Sequence, residues 1–193
     1  MKKRPNLLFL LGFILILASL ALLLFSRFYA GHAKSGAENL TNQIEFLLPP
    51  RTPGVPEEYT NPDMPVLQVE GQDFVALVDF PAYGVTLPVG SVWNAQTIYS
   101  YPCRFSGSVY SDTLVIGGMD QPGQFDFFTR MDQGDKIRIT DMIGREFSFI
   151  VDRIDRSGSA EADRLDTDAY ALEIFVRDAY SMDYIILRCS HGS

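Results

Sequence analysis

Thr113-Leu-Val-Ile-Gly-Gly-Met-Asp-Gln-Pro-Gly-Gln-Phe-Asp-Phe-Phe-Thr-Arg-Met-Asp-Gln-Gly-Asp-Lys-Ile137 is the stretch that decides the fold. A short β-branched run ends on Met119, Pro122-Gly123 turns the chain, and Gly134-Asp135 opens a second strand pattern at Lys136. Phe125, Phe127 and Phe128 follow the turn and are expected to pack beneath it rather than to form a ligand platform. Met119 ends the first strand on a thioether, which neither takes up nor delivers a proton near neutral pH.

Outward from this stretch the pattern stays β. Short runs of Val, Ile, Phe and Tyr, broken by Gly, Pro and Asp, predict strands at about 74–80, 85–89, 113–117, 136–140, 146–154, 171–176 and 184–189. Asp141-Met-Ile-Gly144 reads as a tight turn joining its flanking strands into a hairpin. Seven or eight short strands suggest one small closed barrel or sandwich, a mainly β domain over residues 66–193.

The N-terminal part is different in kind. Residues 1–6 carry Lys2, Lys3 and Arg4, and residues 7–25 contain neither charge nor proline, enough helix to cross about 30 Å of hydrocarbon. The expectation is an uncleaved, single-pass anchor with its N-terminus in the cytoplasm and the domain outside, facing the cell wall. Residues 26–65 then read as a short juxtamembrane helix, with Leu40, Ile44, Leu47 and Leu48 at helical spacing, followed by a proline-rich spacer from Pro49 to Pro65.

Charge follows the same division. Residues 1–37 hold five Lys/Arg and no Asp/Glu, which leaves 11 Lys/Arg against 24 Asp/Glu in the remainder. An exported part this acidic repels phosphate backbones, and nucleic acid is not an expected partner. Cys103 and Cys189 would face an oxidising exterior; two independent buried thiols are expected, with one disulfide as the alternative.

From Phe74 to Cys189 the chain resembles the sortases, extracellular cysteine transpeptidases, most nearly the class B-like sortases of Gram-positive bacteria. Phe80-Pro-Ala-Tyr-Gly-Val-Thr-Leu-Pro-Val89 is similar to the family's "IPxxGIxLPV" pattern, Val115-Ile-Gly-Gly-Met119 to "VIAGH", and Gly134-Asp135 to its strand-opening "GD". The resemblance implies a closed sortase-type β-barrel. It also implies a chemistry of three groups: a cysteine nucleophile, a histidine that protonates the leaving amine and an arginine for the oxyanion. Met119 stands where the histidine would be.

Two registers are possible for the other two groups. In the first, Leu172–Arg177 is the penultimate strand and Tyr184–Cys189 the last, which puts Arg177 in the cysteine slot and Tyr184 in the arginine slot. In the second, Tyr184–Cys189 is the penultimate strand and Cys189 the nucleophile, with no further strand to carry the arginine. The first keeps every strand and is the expected one. It leaves a guanidinium and a phenol where a thiolate and a guanidinium are needed.

Other residues yield smaller expectations. His191 reads as part of a frayed terminus rather than a displaced base. Asp155, Glu161, Asp163 and Asp166 enrich one connection in carboxylates and are weak calcium candidates, an idea that the resemblance supports. Trp93 is expected either to flank a groove or to plug a barrel end. The function expected is therefore that of a membrane-anchored, sortase-like pseudoenzyme. It would bind a sorting-signal peptide, a surface protein or an active sortase. The alternatives are an active transpeptidase using Cys189 and a structural spacer or assembly subunit.

Overall fold

The computed structural model describes residues 7–54, 62–94, 96–158, 169–178 and 183–192. Among these residues one α-helix, α1 (Leu7–Leu47), is followed by ten strands: β1 (Thr52–Pro53), β2 (Leu67–Val69), β3 (Gln72–Phe80), β4 (Val85–Gly90), β5 (Cys103–Ser106), β6 (Leu114–Met119), β7 (Lys136–Asp141), β8 (Arg145–Ser157), β9 (Leu172–Arg177) and β10 (Tyr184–His191). Each of the seven strands expected from the sequence is present. Those it missed, β1, β2 and β5, are short, and their side chains alternate too briefly to leave a periodic signal.

Eight strands close on themselves. Neighbours run β3-β4-β5-β6-β9-β10-β8, and β7 completes the ring by pairing with both β8 and β3. Closure removes the unpaired edges that an open sheet would expose. The barrel interior holds Val78, Phe80, Leu114, Ile116, Ile137, Ile139, Phe147, Phe149, Ile174, Val176 and Leu187, all nearly or wholly inaccessible. Phe125, Phe127 and Phe128 join them, with Phe80 edge-on to Phe127 at 5.0 Å. The expectation that these rings are core is borne out.

The hairpin at 141–144 is made by the aspartate. Asp141 Oδ1 accepts hydrogen bonds from the backbone N–H of Ile143 and of Arg145, both at 2.9 Å, while Gly144 takes the left-handed conformation at φ +83°. Asp141 is wholly buried, and its other oxygen accepts from Arg145 Nε at 2.7 Å.

The N-terminal part is joined to the domain more closely than the sequence reading has it. The apolar stretch and the helical spacing at Ala37–Leu48 belong to one helix, because nothing between Phe25 and Ala37 forbids helical φ/ψ and no proline lies between Pro5 and Pro49. Its C-terminal part is also built into the domain. Ile44 is fully buried in a second apolar cluster with Phe74, Leu77 and Tyr101, and Thr41 Oγ1 donates to the Thr86 carbonyl at 3.3 Å.

The proline-rich segment is likewise bound where it is described. Thr52 N–H and Gly54 N–H donate to the carbonyls of Gly144 and Glu146, both at 2.8 Å, so β1 adds to β8 as a parallel edge. Pro53 lies between these two donors, where no N–H is required, which is how an edge strand accommodates proline. A Cβ on Gly54 would sit 2.4 Å from the Phe147 ring, so the chain can cross that ring only as glycine.

Candidate functional site

Three adjacent strands set the geometry. β6 runs parallel to β9 with Met119 opposite Arg177, and β10 runs antiparallel to β9 with Tyr184 opposite Arg177. Met119, Arg177 and Tyr184 thus form one row across strands about 4.8 Å apart. They also share a face. Leu114, Ile116, Leu172, Ile174, Val176, Ile185 and Leu187 point into the barrel core, whereas Val115, Phe175 and Ile186 form a separate outer cluster. The two-residue period then turns Met119, Arg177 and Tyr184 outward with the second set.

The two glycines before Met119 explain how rings pack on both sides of the strand. A Cβ on Gly117 would lie 2.2 Å from Trp93 Cζ3 and 2.4 Å from Phe175 Cζ on the outer face, and one on Gly118 would lie 2.1 Å from Phe125 Cε2 on the inner face. Trp93 stands edge-on to Phe105 at 5.5 Å and tilted over Phe175 at 5.4 Å, and Phe175 reaches Tyr184 at 6.2 Å. Of the two positions the sequence left open for Trp93, the outer face beside the row is the one it takes.

The connection leaving Met119 is held by side-chain amides. Met119 N–H donates to Gln124 Oε1 at 3.2 Å, Gln124 Nε2 donates to the Ile98 carbonyl at 2.9 Å, and Gln121 Nε2 donates to the Tyr99 carbonyl. Asp120 N–H donates to the Arg177 carbonyl at 3.0 Å, which ties the ends of β6 and β9 together. Burial, and then the charges of Asp178 and Asp126, push the Asp120 carboxyl above its ordinary pKa.

Along the outer face the row gives way to paired charges. Arg188 donates through Nε to Asp155 at 2.8 Å and lies 3.2 Å from the fully buried Glu173 through Nη1, with Tyr170 5.3 Å from its guanidinium carbon. Asp155 also receives Arg153 Nε at 2.7 Å. Both oxygens of this calcium candidate therefore face arginines. Glu161, Asp163 and Asp166 lie outside the described residues, and the described residues contain no cluster of metal-ligating side chains.

Cys189 is elsewhere. It pairs in register with Leu172 and Val151, at the far end of β10 from Tyr184, about 17 Å along the strand. Its thiol is fully buried in the barrel core, and burial drives its pKa well above that of a free cysteine, with the Asp152 and Glu173 charges adding to the shift. Cys103 is buried in the α1-side cluster, and both thiols are free.

His191 corrects the frayed-terminus expectation. It is the last residue of β10, stacks on Phe149 at 5.1 Å and places Nε2 2.7 Å from Asp112 Oδ1, so a ring and a carboxylate hold it in the strand ladder. Sequence reasoning also missed Glu173, Arg188 and Gln124. Glu173 left a trace as the one acid in Leu172-Glu-Ile-Phe-Val-Arg177, an otherwise apolar run that signals a buried strand. Gln124, in a polar turn, left none.

No family model and no curated protein matches the sequence. Solved structures do. Sortase A from Corynebacterium diphtheriae is 17% identical with a TM-score of 0.53, the match covering 63% of this chain and 62% of that one, less than two thirds of its length. A Clostridium perfringens sortase D5 transpeptidase is 16% identical with a TM-score of 0.54, covering 83% of this chain and 98% of that one. A Clostridium perfringens sortase C with the C-terminal cell wall sorting motif is 12% identical with a TM-score of 0.53, covering 63% and 72%. At such identities the likeness is one of backbone, and it agrees with the closed eight-strand ring and its parallel β6–β9 pairing: the chain has the sortase fold.

Proposed function

We propose that this chain is a membrane-anchored, exported sortase-fold domain without transpeptidase chemistry, which acts by binding a peptide of the sorting-signal kind or a surface-assembly partner. The observation that carries this reading is the row Met119, Arg177, Tyr184. It sits on one outward face at one end of three adjacent strands, where the resemblance puts histidine, cysteine and arginine. A thioether cannot act as general acid, a guanidinium is no nucleophile, and a phenol lacks the permanent charge of arginine at a developing oxyanion. Each such loss removes several kcal/mol of transition-state stabilisation. The row retains binding chemistry, a forked cation and a phenol beside the aromatic surface of Trp93 and Phe175. The anchor reading rests on the apolar stretch Phe9–Phe28 of α1, none of which is buried in the domain.

The enzymatic alternative needs Cys189 as nucleophile, and its burial, its raised pKa and its distance from Met119 all oppose that role. Incubation of the full chain in detergent with a fluorescent sorting-signal peptide tests the proposal. Saturable binding with no cleavage is expected; turnover abolished by Cys189→Ala would overturn it. Absence of any binding would instead favour the spacer or assembly-subunit reading.

A further inference from the structure

We infer that one end of the barrel is a lipid-facing surface: the end bearing the Pro81–Gly84 turn and the 123–130 segment rests on the headgroup layer, held there by α1. The inference depends on the anchor reading above and goes beyond it, because an anchor alone fixes neither height nor orientation.

The helix is unbroken from the apolar stretch into the domain. Phe28 ends that stretch, and Lys34, the first described helical side chain beside the barrel, is only about 9 Å further along the axis. The headgroup region is itself about 5–8 Å deep on each side of the hydrocarbon. Lys34, Ala37 and Glu38 line a cleft with Tyr83, Gly84 and Asp126. Further up, Thr41 bonds to Thr86, Gln43 Nε2 bonds to Glu70 Oε1 at 3.0 Å, and the helix ends at Leu47. The Pro49 carbonyl beyond it lies beside Gly144 in the β7–β8 turn. The helix therefore climbs the barrel wall from the 81–84 turn to the 142–144 turn, and the second is about 15–20 Å farther from the hydrocarbon.

Charge at this end is mixed, so the helix sets the orientation. Beyond residue 37 the chain has a formal charge of −13, which opposes contact with an anionic lipid surface. On the side next to the span, exposed Arg27, Lys34 and Arg130 offer cations, Lys34 beside Glu38 at 3.9 Å and Arg130 over the Tyr83 ring at 5.8 Å, with Asp126, Asp132 and Asp135 close by.

The test uses the full chain in vesicles of phosphatidylcholine and phosphatidylglycerol containing a lipid with a nickel-chelating headgroup. Spin labels go on Asp126→Cys or Thr129→Cys at the near end and on Ile143→Cys at the far end. All three positions are exposed, and both native thiols are buried. The inference expects nickel-induced relaxation at least threefold stronger at 126 and 129 than at 143. Equal relaxation at all three positions in vesicle-bound protein would overturn it. Failure of the chain to float with the vesicles would overturn the anchor reading instead. Gly31→Ala with Gly36→Ala, positions where a Cβ meets nothing within 4 Å, stiffens the helix and is expected to widen the contrast; loss of the contrast would again count against the inference.

Discussion

The two ends of the β9–β10 hairpin hold opposite kinds of residue. At one end Arg177 and Tyr184 lie side by side with Met119, face outward and have polar chemistry suited to holding a ligand. At the other, Cys189 has the one intrinsically nucleophilic group of the hairpin but faces inward among Leu172, Val151 and Leu187, with its thiol kept protonated by burial. A catalytic residue type in a plausible strand is therefore no site by itself. Chemistry requires that the reactive group, its acid and its electrostatic partner meet on one accessible face.

The sharpest way to break this picture is to remove the space that separates the two faces of β6. Gly118→Val would drive a branched side chain into Phe125, and Gly117→Val would drive one into Trp93 and Phe175. Each is expected to destabilise by about 3 kcal/mol or more, read as a lowered midpoint in chemical denaturation. The Gly117 change should also weaken peptide binding in whatever fraction stays folded, because it displaces the aromatic surface beside the row.

Removing Arg188 comes next. Arg188→Leu removes the arginine beside Glu173, which is wholly buried, and is expected to cost about 3–5 kcal/mol. The double change Glu173→Leu with Arg188→Leu should recover most of that loss. If the pair costs as much as the single change, Arg188 stabilises through its other contacts, with Asp155 and Tyr170.

Cys189 offers a smaller effect and a clear contrast with the row. Cys189→Ser puts a hydroxyl in an apolar site and should cost about 1–3 kcal/mol, with peptide binding unchanged. Alkylation of the native thiol at neutral pH should be far slower than that of an unfolded control, because its raised pKa leaves less thiolate than a free cysteine has.

Asp120 gives the smallest effect. Its carboxyl is held above its ordinary pKa by burial and by the charges of Asp178 and Asp126, so its ionised form opposes folding; protonation relieves this as pH falls through its folded pKa toward the unfolded one. Asp120→Asn should therefore stabilise slightly at pH 7, and the gain over the native chain should vanish as the medium enters the carboxylate range.

Much of the fold was legible because its signals are local. Val115-Ile116, the Phe147–Phe149–Val151 alternation and the Asp141–Gly144 turn each state a strand or a bend in a few residues. The row at Met119, Arg177 and Tyr184 was reachable by aligning strand ends, since register follows once the last two strands are placed. What the sequence hid is tertiary. His191 looked like a tail because its partners, Asp112 and Phe149, are distant in the chain. The docking of α1 on the domain was hidden in the same way, because Ile44 meets Phe74, Leu77 and Tyr101 only across the fold. β1 was hidden behind prolines, and only the donors Thr52 and Gly54 on either side of Pro53 reveal that an edge strand could form there.

The central claim is that chemistry is missing from the row and has not moved to Cys189. Intact-mass measurement after incubation with a sorting-signal peptide tests it most directly, on the native chain and on a variant combining Met119→His, Arg177→Cys and Tyr184→Arg. The account predicts no adduct on the native chain and a peptide thioester on position 177 of the variant. A peptide thioester on Cys189 of the native chain would contradict it.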